Sequence, residues 1–141
     1  MYLLDTNVVS ELRKAQTGKA EPNVVRWATS MQLEMLYLSA ISILELETGI
    51  LLMERRDAKQ GSLLRRWMED QVLPTFDGRI LSIDTAVARR CAELHIPDRR
   101  AERDAMIAAT AEVHRMKVVT RNVSDFDQLT VEIINPWLAV T

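Results

Sequence analysis

One cysteine in the whole chain, Cys91, excludes an internal disulfide, and neither it nor the two histidines, His95 and His114, form a cluster with zinc-site spacing. Any bound metal must therefore be held by oxygen. No apolar run approaches the roughly 18 to 20 residues that a membrane span needs, and Asp5 interrupts the apolar start. The expectation is a soluble, cytoplasmic protein. A basic surplus is missing too: 18 Lys and Arg face 20 Asp and Glu, which argues against binding nucleic acid by net charge alone. Withdraw four acids to one metal site, however, and cations predominate over the rest of the surface. Repeats, low-complexity stretches and linkers are absent as well. With 48% hydrophobic residues, 141 residues are expected to form a single domain, 1–141, around its own core.

What is present alternates. Tyr2-Leu3-Leu4 reads as a buried strand running into a short helix over Val8–Lys14, and Ala15–Asn23 as a loop before a second helix over Val24–Met31. Leu36–Leu38 is a second strand. From Ser42 to Lys59, apolar residues at 43, 46, 50 and 53 and at 44, 51 and 52 follow helical spacing. Gln60-Gly61-Ser62 predicts a break, Leu63–Val72 a further helix and Ile80–Ile83 a short strand. Helices over Asp84–His95 and Glu102–Met116 follow, the latter rich in alanine, and Lys117–Thr120 and Val131–Ile134 complete the strands. Short apolar strands separated by helices imply an α/β domain with a parallel sheet.

In such sheets, sites form at the carboxyl ends of strands near the point where strand order reverses. Asp5 follows the first strand, and Thr120-Arg121-Asn122 follows another, with Asp125 just beyond. Glu45 falls within about 60° of Ile41, Thr48, Gly49 and Leu52 on the helical wheel, a small and apolar face. Glu47 lies instead near Ile43, Ile50, Leu51 and Glu54. Asp104 shares a face with Ile107, Ala108 and Ala111 in the first turn of its helix. Each acid alone has an ordinary explanation as a cap, turn or helix-end charge. Together they converge on one chemistry, since crowded carboxylates repel unless a cation sits among them, and hard oxygen ligands suit Mg²⁺ or Mn²⁺. Phosphodiester hydrolysis is the natural use of such a site.

Leu3-Leu4-Asp5-Thr6-Asn7, Ser39 through Gly49, Arg103 through Thr110 and Val118 through Phe126 resemble the successive motifs of PIN-domain toxins of the VapC family. Asn135-Pro136-Trp137 is similar to the FitB-like branch. The resemblance implies a three-layer PIN-like fold, a short parallel sheet flanked by helices. It makes Asp5, Glu45, Asp104 and Asp125 the catalytic and metal-binding quartet, with Asp127 as a competitor for the fourth place. Thr6, Asn7, Thr120 and Asn122 match polar positions that orient carboxylates or water. Also implied are Mg²⁺ or Mn²⁺, RNA cleavage, a homodimer, an antitoxin encoded alongside and a larger complex with it on operator DNA.

Arg99, Arg100 and Arg103 are candidate RNA contacts, because arginine matches phosphate oxygens in a two-pronged geometry; the alternative is a solvated loop. Val8, Val9, Leu12, Trp27 and Leu51 are candidates for an antitoxin groove, and an antitoxin arginine could enter the acidic pocket. His95 and His114 are expected at helix ends and Cys91 in the core. A phosphoacceptor receiver domain would want adjacent acids after the first strand and a late lysine, where this chain has Thr6-Asn7 and Arg121-Asn122. A PIN domain without catalysis, binding RNA or an antitoxin only, is the remaining alternative. The two glutamates of one helix separate these readings: Glu45→Gln is expected to lower RNA cleavage by about a hundredfold or more while the protein stays folded, whereas Glu47→Gln retains most of it. Single-turnover cleavage by the two variants checks this, and the opposite order would mean that the helix presents its other face.

Overall fold

The computed structural model describes residues 1–139. Its first strand, β1 (Tyr2–Leu4), is short because Asp5 ends it by capping the next helix: the Asp5 carboxylate accepts from the Thr6 backbone N–H at 2.8 Å. Helix α1 accordingly spans Thr6–Arg13, beginning two residues before the apolar pattern suggests. Pro22 opens α2 (Pro22–Ser30), where its missing N–H costs nothing. Strand β2 (Leu36–Ser39) runs into α3 (Ala40–Arg56), with the Ser39 hydroxyl accepting from Ile41 N. Helix α4 (Ala58–Trp67) continues through one π-helical turn, Met68–Val72, toward β3 (Ile80–Leu81). Helix α5 (Thr85–Leu94) is capped by Asp84, and α6 (Glu102–Val113) leads to β4 (Lys117–Val119) and finally β5 (Ile133–Ile134).

All five strands are parallel, in the order β3-β2-β1-β4-β5. Parallel strands covered on both faces show no polar alternation; neighbours in sequence simply serve opposite layers. Leu3 and Val118 join the core beneath α5 and α6, with Val87, Cys91, Ala105 and Ala108. Leu4, Leu38 and Val119 join the core on the other face, with Val8 and Val24 and with Leu46 and Ile50 of α3. This is the three-layer arrangement expected. The alanines of α6 at 105, 108, 109 and 111 are essentially unexposed, so the helix lies directly on the sheet.

Several boundaries shift by two or three residues, and one break is misplaced. The break after α3 falls at Asp57, whose extended backbone and side chain cap α4 through Gln60 N, rather than at Gln60-Gly61-Ser62. Gly61 lies inside α4, buried against α3, and a Cβ there would meet the Glu54 Cα at 2.5 Å. The glycine therefore marks a close approach of two helices. Arg65 fastens the same hairpin, donating to Glu47 at 2.7 Å and to Glu54 at 3.2 Å. A glycine in an ordinary helix interior is improved by alanine. Here Gly61→Ala is expected to destabilise by about 1 to 3 kcal/mol, the usual cost of overpacking, and urea denaturation would reveal it as a lower midpoint at unchanged m-value.

Candidate active site

The order of strands sets the place of the site. From β1 the chain crosses to β2 on one side, and β4 lies on the other, so the connections leaving β1 and β4 diverge and open a crevice at their carboxyl ends. Asp5 follows β1 and Thr120 follows β4, and the Asp5 backbone N–H donates to Val119 O at 2.8 Å, locking the two strand ends together.

Asp5 is almost wholly buried, 6% exposed, and its carboxylate is fully occupied on the protein side. Oδ1 accepts from Thr6 N; Oδ2 accepts from the Thr120 hydroxyl at 2.8 Å and from the Asn7 amide at 3.4 Å. Asn7 also donates to Thr120 Oγ1 at 3.2 Å, and Asn122 N donates to that same oxygen at 3.0 Å. The Thr6 hydroxyl reaches Glu45 Oε1 at 2.8 Å and Ser42 Oγ at 2.9 Å. Its single proton serves the carboxylate, so Ser42 donates to Thr6. The four expected orienting residues thus all lie in this network. Thr6, Asn7 and Thr120 bond carboxylates directly, and Asn122 acts on Thr120 through its backbone.

Glu45 stands half-buried at the mouth of the crevice; Ile41 behind it is buried, while Thr48, Gly49 and Leu52 on the same face are exposed. Glu47 is directed to Arg65 and away from the other acids. Asp5, Glu45 and Asp104 line one cleft of about 460 Å³. Asp125 lies on the exposed turn Val123–Phe126 outside that lining, yet close enough for its charge to act on Asp5 and Asp104. Asp127, at the end of the turn, exerts no comparable influence on either. Arg103 points back to Glu45, with Nη1 3.7 Å from Oε2, whereas Arg99 and Arg100 lie outside the cleft lining. The Arg100 backbone N–H donates to His95 Nδ1. Both histidines occupy the C-caps of their helices, and Cys91 is buried.

Electrostatics record the crowding. Burial pushes the Asp104 carboxyl up to about 6, with the charges of Asp125, Asp5 and Glu45 adding to it in that order. Burial likewise raises Asp5 above its ordinary value, against the hydrogen bonds from Thr120 and Thr6 that favour its ionised form. Among the described residues no three acidic, histidine or cysteine side chains form a ready-made cage for an ion. Mg²⁺ is typically held through one or two carboxylates, with water and substrate oxygens completing its shell, so separate carboxylates converging on one cleft are compatible with it. Oxygen donors of uniform negative charge, each straining against its neighbours, fit such a cation.

Sequence reasoning missed six residues of this neighbourhood. Ser42 is completely buried beneath Thr6, and Ser10, Glu11, Lys14, Arg121 and Trp137 line the cleft, with Glu11 paired to Lys14 at 3.3 Å. A serine one turn before Glu45 was a legible signal for the first. Nothing local marks the others, which reach the cleft from α1's end, the segment after β4 and the C-terminal region.

Carboxylates gathered at the carboxyl edge of a parallel sheet with this strand order are the hallmark of one class of protein. The PIN domain family matches residues 2–131, and the chain belongs to it. It is 40% identical over 143 residues to toxin FitB of Neisseria gonorrhoeae, covering 97% of this chain and 99% of that one. With the VapC ribonuclease Y4jK of Sinorhizobium fredii it shares 38% identity over 142 residues, 97% of this chain and 98% of the relative. The solved structure of FitAcB from Neisseria gonorrhoeae superposes with a TM-score of 0.87 at 38% identity, covering 97% of this chain and 99% of that one. FitAB bound to an IR36 DNA fragment has the same TM-score and covers 100% and 99%.

A stability test follows from the raised Asp104. An acid whose folded value exceeds its unfolded one contributes stability that is full below the unfolded value, 3.8, and lost as pH rises through about 6. Metal-free protein should therefore become less stable across that window. Asp104→Asn removes the loss, so in EDTA at pH 7.5 the variant should unfold roughly 2 to 4 °C above the parent, with the gap closing near pH 4. Thermal melts of both proteins across pH measure it.

Proposed function

We propose that this chain is a Mg²⁺- or Mn²⁺-dependent endoribonuclease, a single PIN domain over residues 1–141 and the toxin half of a type II toxin-antitoxin pair. The observation that carries this reading is the convergence of Asp5, Glu45 and Asp104 in one cleft within the field of Asp125. The names of its relatives, a VapC ribonuclease and a toxin, agree with it. Asp5, Glu45, Asp104 and Asp125 would hold the cation. When bound, the cation supplies a lowered pKa for water and stabilisation of charge on the phosphoryl group.

The chain's own residues do the rest. Thr120, Asn7 and Thr6 hold the Asp5 carboxyl in place through hydrogen bonds to both oxygens, so its position does not relax when charge develops nearby. Ser42 and Thr6 set the height of Glu45. Asp104, whose carboxyl burial and the neighbouring acids push up to about 6, is the member of the quartet whose repulsion a bound cation would most relieve. Arg103, once Glu45 engages elsewhere, is free to turn to a phosphate, and Arg99 and Arg100 extend the cationic approach along the loop that leads into α6.

The partner reading rests on the FitAcB and FitAB complexes, the latter on DNA, and on an apolar groove of about 270 Å³ between α1, α2 and the Trp67–Phe76 segment. An antitoxin helix would lie there. Val9 and Leu12 line this groove as anticipated, but Val8 is wholly inside the core, Trp27 packs edge-on to Tyr2 and Leu51 is exposed elsewhere on α3, so these three do not belong to its lining. Homodimerisation and a cytoplasmic location complete the proposal; no helix among the described residues is long and apolar enough to cross a membrane.

RNA hydrolysis by the purified chain is expected to require Mg²⁺ or Mn²⁺, to stop in excess EDTA, and to fall by about a hundredfold or more in Asp5→Asn. Cleavage that persists in EDTA would refute the metal mechanism. RNA bound tightly but never cut would place the chain with non-catalytic PIN domains.

A further inference from the structure

The cleft that holds the acids also holds two groups that carboxylate chemistry does not use. The Arg121 guanidinium lies over the Trp137 ring, 5.5 Å from its centroid, and both side chains line the cleft. Both residues are tied to the fold through their backbones. The Trp137 ring packs against the core on the α1–α2 side; its backbone N–H donates to Asn135 Oδ1 at 3.0 Å, and its backbone carbonyl accepts from Asn23 Nδ2 at 2.9 Å. The Arg121 backbone N–H donates to Asn7 Oδ1 at 3.3 Å, and Asn7 is the residue whose amide holds Asp5 and Thr120. A single asparagine thus ties this pair to the buried acid.

The geometry points to Arg121 and Trp137 as a stacking platform for an unpaired nucleobase beside the carboxylates. The half-buried Trp137 ring lies beneath the guanidinium carbon, and the exposed Arg121 is open to a ligand on its solvent side. Bases stack on guanidinium planes and aromatic rings alike, and only a base outside a helix has a free face to give. The proposal rests on the nuclease reading and narrows it: the substrate is single-stranded RNA with an unpaired nucleotide next to the scissile phosphate. Because the Trp137 ring is already packed against the core, little ordering is left to oppose the stack.

Binding and cleavage are read separately. Fluorescence anisotropy of a single-stranded oligoribonucleotide on the full-length Asp104→Asn protein reads binding, and wild type in Mg²⁺ reads cleavage. One abasic residue walked along the strand should weaken binding about tenfold at a single position. Introducing Arg121→Lys should cost the intact strand about as much, abolish sensitivity to that position, and leave the slope of log affinity against log salt unchanged, since lysine keeps the charge without the plane. Trp137→Leu should behave alike; Arg121→Lys, at an exposed position, decides the matter if Trp137→Leu does not fold. Normal binding by Arg121→Lys, or lysine and abasic losses that multiply, would make Arg121 a phosphate contact and overturn the platform. Equal cleavage of duplex and single-stranded RNA would overturn it as well. Cleavage with no abasic effect refutes the platform alone, coupled binding without cleavage in Mg²⁺ or Mn²⁺ refutes the nuclease reading alone, and failure to bind RNA refutes both.

Discussion

Asp5 carries two duties that constrain everything around it. It ends β1 by capping α1, and it places a nearly buried negative charge at the point where strand order reverses. A charge so placed is expensive to desolvate unless hydrogen bonds satisfy it. Thr120 and Asn7 therefore cannot be arbitrary polar residues: their hydroxyl and amide are the donors that Asp5 Oδ2 needs, and they arrive from different elements of the fold. Because β4 lies beside β1 in register, Thr120 is delivered to that oxygen by the sheet itself.

The rest of the fold keeps this arrangement rigid. Two cores grip the sheet from both faces, and α6, with its alanines pressed on the strands, has no room to move Asp104 away from Asp5. On the other side of the cleft's mouth, Glu45 rides on α3, a helix braced by the close Gly61 contact and by Arg65 bridging Glu47 and Glu54. Close-packed interiors resist small displacements, so the acids stay crowded although their mutual repulsion opposes it. Stability sacrificed at the site is recovered in the cores, a common compromise where function needs a strained arrangement.

Charge is also partitioned. The overall balance of −2 hides a cleft in which buried acids sit beside Lys14 and Arg121, with Arg103 drawn to Glu45 at its rim. Acids and cations alternate around the cleft: Asp5 is the most buried, Lys14 pairs with Glu11, and Arg103 leans on Glu45 at the mouth. The net charge of the chain says little about that, since fields near a cleft follow local placement.

The sequence by itself determined the alternation of strands and helices, the caps at Asp5 and Asp84, and the separation of Glu45 from Glu47, because each depends on local hydrogen bonding or on the angular period of one helix. It also carried the family motifs at Asp5, Glu45, Asp104 and Asp125. It misplaced the break near Gly61, because a glycine needed for a turn and a glycine needed for a close helix contact look alike until the partner helix is in place. Tertiary structure alone decided that Asp104 titrates near 6, that Arg103 leans on Glu45, that Val8 is buried away from the groove, and that Arg121 meets Trp137 beside the acids. Those outcomes depend on distances between residues far apart in the chain, and no periodicity or spacing encodes a distance across the fold.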